Sequence, residues 1–393
     1  MGLILNDLKN ACELEHVCDY VNNRTTSSMN YISTENMLSN KGGISESTII
    51  PPGTTTEYKI GDILISNIRP YFQKIWCADR CGGCSADVLC IRAKENTDSK
   101  YLYYLLSQQA FFDYVMSGAK GCKMPRGDKK QIMQWPVNIP AIDVQKKVVA
   151  ILSSLDNKIR LNRRINDNLE EQAKALFKSW FVDFEPFKGG KFVDSELGLI
   201  PKGWSTGTIY SYIDVIYGAP YKSALFNDKK QGLPLIRIRD LKTYTPQYYT
   251  KEVLPNTEYV ECGDIIAGMD AEFIPHIWRG EKGVLNQRLC KFVPKYDYVS
   301  KYYIYSLVYP KLAFVQSYKV GTTVSHLGKA DIDRFKVIVP PEDIIMQYSK
   351  IVNSYFAEIV KVSNENQILS SLRDTLLPKL MSGELSVEEV SLD

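Results

Sequence analysis

Two long segments of the chain repeat apolar residues with alternating spacings of four and three. The first series begins after Pro140 and runs through Val148, Leu152, Leu155, Ile159, Leu169, Ala173 and Leu176. The second series begins at Val352 and reaches Leu376. This spacing is typical of a coiled-coil seam. Because a helix of about 40 residues is about 60 Å long, it exceeds the core helix of one module. The pattern therefore predicts two long helices that pack on each other as a coiled coil.

Asparagines interrupt both apolar series. Asn162 and Asn166 occupy consecutive seam positions in the first series, and Asn366 occupies the position equivalent to Asn166 in the second. One interpretation is a solvated helix face with an interrupted stripe. The other is that buried polar side chains fix the register of the helix pair at a cost in stability. The shared repeat position favours the second interpretation, which assigns a register role to all three asparagines.

Residues 1–140 and about 195–340 carry a different pattern, in which short β-branched and aromatic runs alternate with Gly, Pro, Asn and Asp. Such runs predict strands bounded by turns. The predicted strands include residues 62–66, 87–91, 235–239 and 336–339. Residues 99–116 and 300–318 predict amphipathic helices. Each part is therefore predicted to be an α+β module with a substantial sheet.

The modules and helices are related by an internal repeat. Gly61-Asp62-Ile63-Leu64 recurs as Gly263-Asp264-Ile265-Ile266, and Val137-Asn138-Ile139-Pro140 corresponds to Val337-Ile338-Val339-Pro340. Matches in the same order, separated by roughly 200 residues, indicate two copies of one unit. The predicted fold class is therefore α+β, with two similar globular modules separated by two long antiparallel helices that form a coiled coil, in a pseudo-two-fold internal repeat.

The same patterns predict where the parts begin and end. The first module is expected at 1–140 and the central helix at 141–188. The second module follows at 189–340, the distal helix at 341–385 and a tail at 386–393.

Composition and charge restrict the class of protein. The chain has 393 residues, of which 45% are hydrophobic and 24% are charged, which excludes a largely disordered or low-complexity protein. With 48 Lys and Arg against 45 Asp and Glu, the net charge is +3. This balance excludes a histone-like polycation but not a locally basic face.

The cysteines and the apolar runs bear on location. Nine cysteines at irregular spacing do not predict a disulfide scaffold. The first residues lack the pattern of a signal peptide, and no apolar run reaches about 18 residues. We therefore expect no membrane span and a reducing, cytoplasmic setting.

Residues 176–204 carry the most specific motif. They contain Leu-Phe-Lys-Ser-Trp-Phe-Val-Asp-Phe-Glu-Pro-Phe and then Ser-Glu-Leu-Gly-Leu-Ile-Pro-Lys-Gly-Trp. This segment resembles the central region of the specificity subunits of type I restriction–modification systems, where a helix ends and the second recognition domain begins. Three further segments are similar to the same family, at 66–72, 234–241 and 376–385. The resemblance covers essentially the whole chain.

The resemblance implies a division of labour in a phage-defence system. Each module would be a target recognition domain that reads one half of a bipartite, asymmetric site on double-stranded DNA. The helices would set the gap between the half-sites and dock two modification (methyltransferase) subunits, which translocating restriction subunits would join. The chain itself would carry no catalytic site. S-adenosylmethionine, ATP and Mg would be bound by the partner subunits.

A basic, glycine-rich loop is the first candidate for DNA contact. Its cationic residues are Lys120, Lys123, Arg126, Lys129 and Lys130. The equivalent loop of the second copy is less charged but rich in hydroxyl groups, and its candidates are Lys319, Thr322, Thr323, His326 and Lys329. Such loops can contact phosphates or bases, and the resemblance favours this role. The alternative is a solvated surface loop.

Further candidates follow predicted strands and turns. Arg69, Tyr71 and Lys74 follow one strand in the first module, and Tyr221 and Lys222 follow a turn in the second. Arginine suits bidentate recognition of guanine, whereas lysine suits phosphate. Arg237 and Arg239 alternate along a predicted strand, which would place them on one face. They could equally be charges at a sheet edge without a role in DNA binding.

Apolar residues near the helix ends are the candidates for docking the modification subunits. A two-helix seam cannot fully bury them, and they are Phe177, Trp180, Phe181, Leu377 and Leu380. The alternative is that they cap the coiled coil against the modules of the chain itself.

Two other functions remain open from the residues alone. Cys81-Gly-Gly-Cys84 lies near Cys77 and Cys90, but the second ligand pair of a zinc site is missing, so no metal is expected. No phosphate-binding loop or Rossmann turn is present. The alternatives are a non-DNA coiled-coil scaffold and, less favoured, a metalloenzyme built on the cysteines.

Overall fold

The contacts between residues divide the chain into two units. The computed structural model describes residues 11–26, 30–46, 53–121, 123–319 and 326–388. The first unit consists of Met1–Asn157 and Ser370–Asp393, and the second unit is Lys158–Leu369. Each unit therefore contains one module and part of each long helix.

Antiparallel sheets form the module of the first unit. The four-stranded sheet has the order Cys18–Tyr20, Val88–Ala93, Ile63–Ser66 and Ile75–Cys77. A three-stranded sheet joins Arg24–Thr25, Thr55–Tyr58 and Gly82–Cys84, and Cys12–Glu13 pairs with Pro136–Val137. The helices are Ser99–Leu106, Gln109–Ser117 and Lys129–Met133, with 3-10 turns at Leu14–His16 and Pro70–Phe72.

The module of the second unit contains two four-stranded sheets. One has the order Ile213–Tyr217, Leu289–Pro294, Ile265–Gly268 and His276–Ile277, and the other Tyr248–Thr250, Leu233–Ile236, Gly283–Leu285 and Tyr259–Val260. Ser205–Thr208 pairs with Lys336–Val339, and Phe192–Ser195 with Gly198–Pro201. The helices are Lys301–Lys319 and Lys329–Asp333, with 3-10 turns at Glu185–Phe187, Ile209–Ser211, Ser223–Leu225 and Ile238–Asp240.

The central strand of each module is buried on both faces. In the first unit Ile63 and Ile65 pack into the core shared with the helices, whereas Leu64 packs into a second core beside Trp76. In the second unit Ile265 and Ile266 divide between two cores in the same way. Because successive side chains of a strand point to opposite faces, a continuous apolar run is what such a position requires.

The long helices run antiparallel within each unit. The central helix is Ile142–Phe181 and the distal helix is Glu342–Ser382. In the second unit Asn166 bonds to Ser363, and Phe181 contacts Tyr348. In both contacts a later residue of the central helix meets an earlier residue of the distal helix. The predicted α+β fold, with two similar modules and a pair of long antiparallel helices, is confirmed.

Three sequence-based elements differ from the structure. The central helix, predicted at 141–188, ends at Phe181. The strand predicted at 235–239 ends at Ile236, because the Asp240 carboxylate accepts a hydrogen bond from the Arg237 N–H and closes a 3-10 turn. The helix predicted at 99–116 breaks after Leu106. There the Ser107 hydroxyl donates to the Tyr103 carbonyl, its N–H donates to the Tyr104 carbonyl, and the next residue is extended.

A helix that spans a bilayer needs about 20 consecutive, mostly apolar residues. Within the part of the chain that the structure describes, no helix is both long and apolar enough to cross a membrane.

Candidate DNA-binding surface

In the first unit the structure joins two segments that no local sequence pattern pairs. The Arg69 N–H donates to the Pro125 carbonyl at 2.8 Å, and the Gly127 N–H donates to the Asn67 carbonyl at 3.3 Å. Lys120 and Arg126 also exchange backbone hydrogen bonds across the loop. The basic loop therefore lies against the turn that follows the central strand. Together they form one exposed surface, which carries Lys120, Lys123, Arg126, Lys129 and Lys130.

Acidic side chains hold two of these cations without burying them. Lys120 Nζ lies 3.0 Å from the Asp128 carboxylate, and Arg126 Nη2 lies 3.1 Å from Asp87 Oδ1. The hydrogen bond from Lys120, together with backbone N–H groups of Gln131 and Lys130, lowers the pKa of Asp128. Exposed ion pairs of this kind contribute little to stability. Both cations therefore remain accessible to a phosphate or a base.

The turn after the central strand exposes one candidate and uses another internally. Tyr71 is 48% exposed in the 3-10 turn, which Arg69 precedes with a left-handed backbone. Lys74 is different, because its Nζ donates to the Thr34 carbonyl at 2.7 Å and burial lowers its pKa. The ammonium of Lys74 therefore holds a loop in place, and its contact with DNA stays a prediction.

In the second module the structure changes the interpretation of three candidates for DNA contact. Tyr221 is 5% exposed, packs into a core with Leu235, and donates its hydroxyl to Thr257. Arg237 pairs with Asp240 and lies 4.3 Å from the ring centroid of Tyr248. Both side chains are thus used within the module. Arg239 is exposed, but in a 3-10 turn, so the argument that it shares a strand face with Arg237 is wrong.

Three further candidates of the second module, Lys222, His326 and Lys329, are exposed. Lys222 is exposed beside Tyr221. His326 Nδ1 lies 2.7 Å from Asp270 Oδ1, and Lys329 Nζ lies 2.9 Å from Asp333 Oδ2. Thr322, Thr323 and the side chain of Lys319 lie outside the described residues. Contact of these residues with DNA stays a prediction.

The predicted docking residues belong to the cores of the two units. Phe181, Leu377 and Leu380 are at most 6% exposed. Phe177 and Trp180 pack against the core of the second unit, where both contact the Tyr348 ring. The alternative interpretation therefore holds, because the modules bury what a two-helix seam leaves open. Different apolar residues of the long helices are exposed, and they include Leu161, Ile368 and Leu372.

The seam asparagines lie inside the helix pair of the second unit. Asn162 and Asn166 are 0% and 2% exposed. Asn162 Nδ2 donates to Glu365 and to Asn366 Oδ1, and Asn166 Nδ2 donates to the Ser363 hydroxyl at 3.0 Å. Among the described residues, neither asparagine Oδ1 has a hydrogen-bond partner. A buried amide that is only half satisfied costs stability and is a feature of seams that specify register.

Replacing Asn166 by leucine is expected to stabilise the helix pair. The change removes an unpartnered buried carbonyl oxygen, while the Ser363 hydroxyl keeps the Ile359 carbonyl as its acceptor. We expect the free energy of unfolding to rise by about 1 kcal/mol, measured from the urea midpoint. Asn168→Leu, at an exposed position of the same helix, is the control and should be nearly neutral. A loss of stability in Asn166→Leu would contradict this expectation.

The cysteines between residues 77 and 90 differ in their exposure to solvent. Cys84 and Cys90 are buried, Cys81 is exposed, and burial raises the pKa of the Cys77 thiol to about 11. The Cys77 thiol is therefore protonated near neutral pH. In the described part of the chain, no three His, Cys, Asp or Glu side chains are placed to hold a metal ion.

Comparisons with known proteins point to one family. The model of the type I restriction modification DNA specificity domain matches residues 9–171 and 201–370. The MjaIX specificity subunit of Methanocaldococcus jannaschii is 28% identical over 325 residues, which cover 76% of this chain and 71% of that protein. The HindI specificity subunit of Haemophilus influenzae is 24% identical over 433 residues, which cover 90% of this chain and 94% of that protein. A crystal structure of a type I S subunit from M. genitalium is 15% identical over 97% of this chain and 98% of that one, with a TM-score of 0.46.

Proposed function

The chain belongs to the family of type I restriction–modification DNA specificity subunits, with two target recognition domains, and from this membership we propose how its parts divide the work. The observation that carries the proposal is the double match, since each matched range contains one module and the start of one long helix. Two modules that are similar but not identical suit the two halves of an asymmetric, bipartite site on double-stranded DNA. The comparisons give no support to a scaffold without DNA or to a metalloenzyme.

In this proposal the loop and turn of each module face the DNA. In the first module the exposed lysines of the basic loop would contact phosphates and set the position of the module. Base edges would be read by side chains at the junction of the loop and the turn. The modest net charge of +3 is compatible with this, because residues 120–130 alone carry five cations and only one acidic residue, Asp128.

The helices would connect the recognition modules to the partner subunits. We propose that their length sets the gap between the half-sites, and that two modification subunits dock on them and are joined by restriction subunits. No catalytic step is assigned to this chain. In this proposal the partner subunits would bind S-adenosylmethionine, ATP and Mg. Because the target is chromosomal and invading DNA, the proposed location is cytoplasmic.

Methylation mapping tests this function directly. Genomic DNA from cells with and without the gene, each with the cognate modification subunit, would be sequenced for modified bases. The expected result is a bipartite, non-palindromic motif that is methylated only when the gene is present. Unchanged methylation at every bipartite motif would contradict the proposal.

Changing Ile368 to glutamate is expected to weaken docking of the modification subunit. Ile368 is 68% exposed on the distal helix, so the change removes apolar contact surface without opening a core. Loss of one central apolar contact from an interface typically weakens association by about 10-fold or more. Co-purification and titration with the modification subunit measure the effect. Ser354→Glu adds the same charge at another exposed position of this helix and should leave association near the wild-type value.

A further inference from the structure

Three segments meet at the end of the central strand in the first unit. They are the turn after Ile63–Ser66, the residue before Val88–Ala93, and the basic loop. The Asn67 N–H donates to the Asp87 carbonyl at 2.9 Å, and the Asn67 carbonyl accepts from Gly127. We name this arrangement of turn, strand start and loop the recognition frame.

The second unit builds the same recognition frame from different residues. The Met269 N–H donates to the Arg288 carbonyl at 2.9 Å, and the Met269 carbonyl accepts from Leu327 at 2.7 Å. The turns also agree in conformation, since Arg69 has a φ of 50° and Ala271 a φ of 58°. The backbone bonds therefore identify which residues of the two modules are equivalent.

At equivalent positions the side chains differ in chemistry. In the first unit the turn carries Ile68, the residue before the strand is Asp87, and the loop carries Arg126. In the second unit the same three positions are Asp270, Arg288 and His326. The bridges Ile68–Arg126 and Asp270–His326 occupy the same place in the two frames. A backbone frame that both modules share, and that presents different donors and acceptors, is what two recognition domains with different half-sites require.

Each frame holds one exposed arginine on one carboxylate. In the first, Arg126 Nη2 lies 3.1 Å from Asp87 Oδ1, and the Arg126 side chain is 58% exposed. In the second, Arg288 Nε lies 3.3 Å from Asp270 Oδ2, and the Arg288 side chain is 57% exposed. His326 Nδ1 also lies 2.7 Å from the Asp270 carboxylate. The arginine thus comes from the loop in one module and from the strand start in the other.

We propose that Arg126 and Arg288 each read a guanine in the half-site of their own module, an assignment that rests on the proposed function. The planar guanidinium donates two parallel hydrogen bonds to guanine O6 and N7, and a carboxylate partner restricts its orientation. Such an exposed pair adds little to folding stability. Because the two arginines come from different segments of the frame, the guanines stand at different positions within the two half-sites.

The test uses the full chain assembled with its modification subunit in cells, with methylation mapping as the readout. Arg288→Ala is expected to lower the preference for guanine at one position of one half-site by about 10- to 100-fold, with the other half unchanged. Arg126→Ala is expected to act in the same way on the other half. Arg288→Lys keeps the charge but not the bidentate geometry, so it should also relax that position.

Matched controls separate base reading from surface charge. Arg80→Ala removes an exposed arginine that pairs with Asp79 in the first unit, and Lys282→Ala removes an exposed lysine that pairs with Glu261 in the module of the second. Both are expected to leave the motif unchanged. If Arg288→Ala fails to accumulate, Arg288→Lys carries the test.

Two results would overturn the assignment. One is an unchanged motif in the arginine variants, and the other is an equal loss of methylation across all sequences, which is the behaviour of a phosphate contact. A wild-type complex without any bipartite motif would instead overturn the proposed function, so the two failures are distinguishable.

Discussion

Exchange of residues 1–140 for the first module of another specificity subunit is expected to change one half of the target and leave the other half as it was. The physical reason is that this module closes on itself, because Cys12–Glu13 pairs with Pro136–Val137 before the central helix begins at Ile142. Methylation mapping of the hybrid complex measures both halves in one experiment. A motif in which both halves change would contradict modular recognition.

The hybrid must also keep its contact with the helices of the first unit. The core there combines Tyr101 and Leu105 of the module with Val148, Leu152 and Leu377 of the helices. A donor module with apolar residues at the equivalents of Tyr101 and Leu105 should accumulate as a soluble complex. Exchange of the same residues for a module with polar groups there is the negative control. Its expected failure reports on packing and not on recognition.

Asp156→Ala is expected to destabilise the first unit by about 2–3 kcal/mol. The change leaves two hydrogen-bond donors, the Tyr104 hydroxyl and the Arg373 guanidinium, without their acceptor in a mostly buried site. Asp156 accepts the Tyr104 hydroxyl at 2.7 Å and Arg373 Nη1 at 2.8 Å, and the Arg373 side chain is 18% exposed. Burial alone lowers the pKa of Arg373, but Asp156 and Asp374 reverse this and raise it. The guanidinium therefore stays charged and would lack its main counter-ion in the variant.

Hydrogen exchange locates this loss within the chain. Amides of Ser99–Leu106 and of the distal helix after residue 370 should exchange faster in Asp156→Ala, because they surround the lost contacts. Asp374→Ala is the matched control, since that side chain is 50% exposed and should contribute less than about 1 kcal/mol. Unchanged exchange in Asp156→Ala would show that the cluster does not stabilise the unit.

Local spacing was enough to predict the long helices and the strands at the centre of each module. The alternation of four and three belongs to neighbouring turns of one helix, and the apolar run Ile63-Leu64-Ile65 belongs to one strand. Patterns of this kind depend on residues close in sequence, so they can be recognised without knowledge of the fold. The equivalence of Asn166 and Asn366 came from the same kind of observation.

The roles of individual side chains depended on contacts between distant segments. Lys74 was predicted to contact DNA, but it reaches the Thr34 carbonyl, which lies in another loop. Tyr221 was predicted to contact DNA after a turn, but it packs into a core with Leu235 and Val284. Arg288 and Asp270 carried no local signal at all, because their pairing exists only where a turn and a strand start meet. The internal repeat could have pointed to them only once the equivalent backbone bonds were known.

The sequence by itself determined that this protein is a duplicated module with a long helix after each copy, and its motifs identified the family. These features are encoded in spacing and repetition along the chain. Only the tertiary structure decided which charged groups stay exposed, which are neutralised by a partner, and which apolar residues of the helices remain open. The physical reason is that burial and ion pairing arise between segments far apart in sequence, where neither periodicity nor composition records which side chains meet.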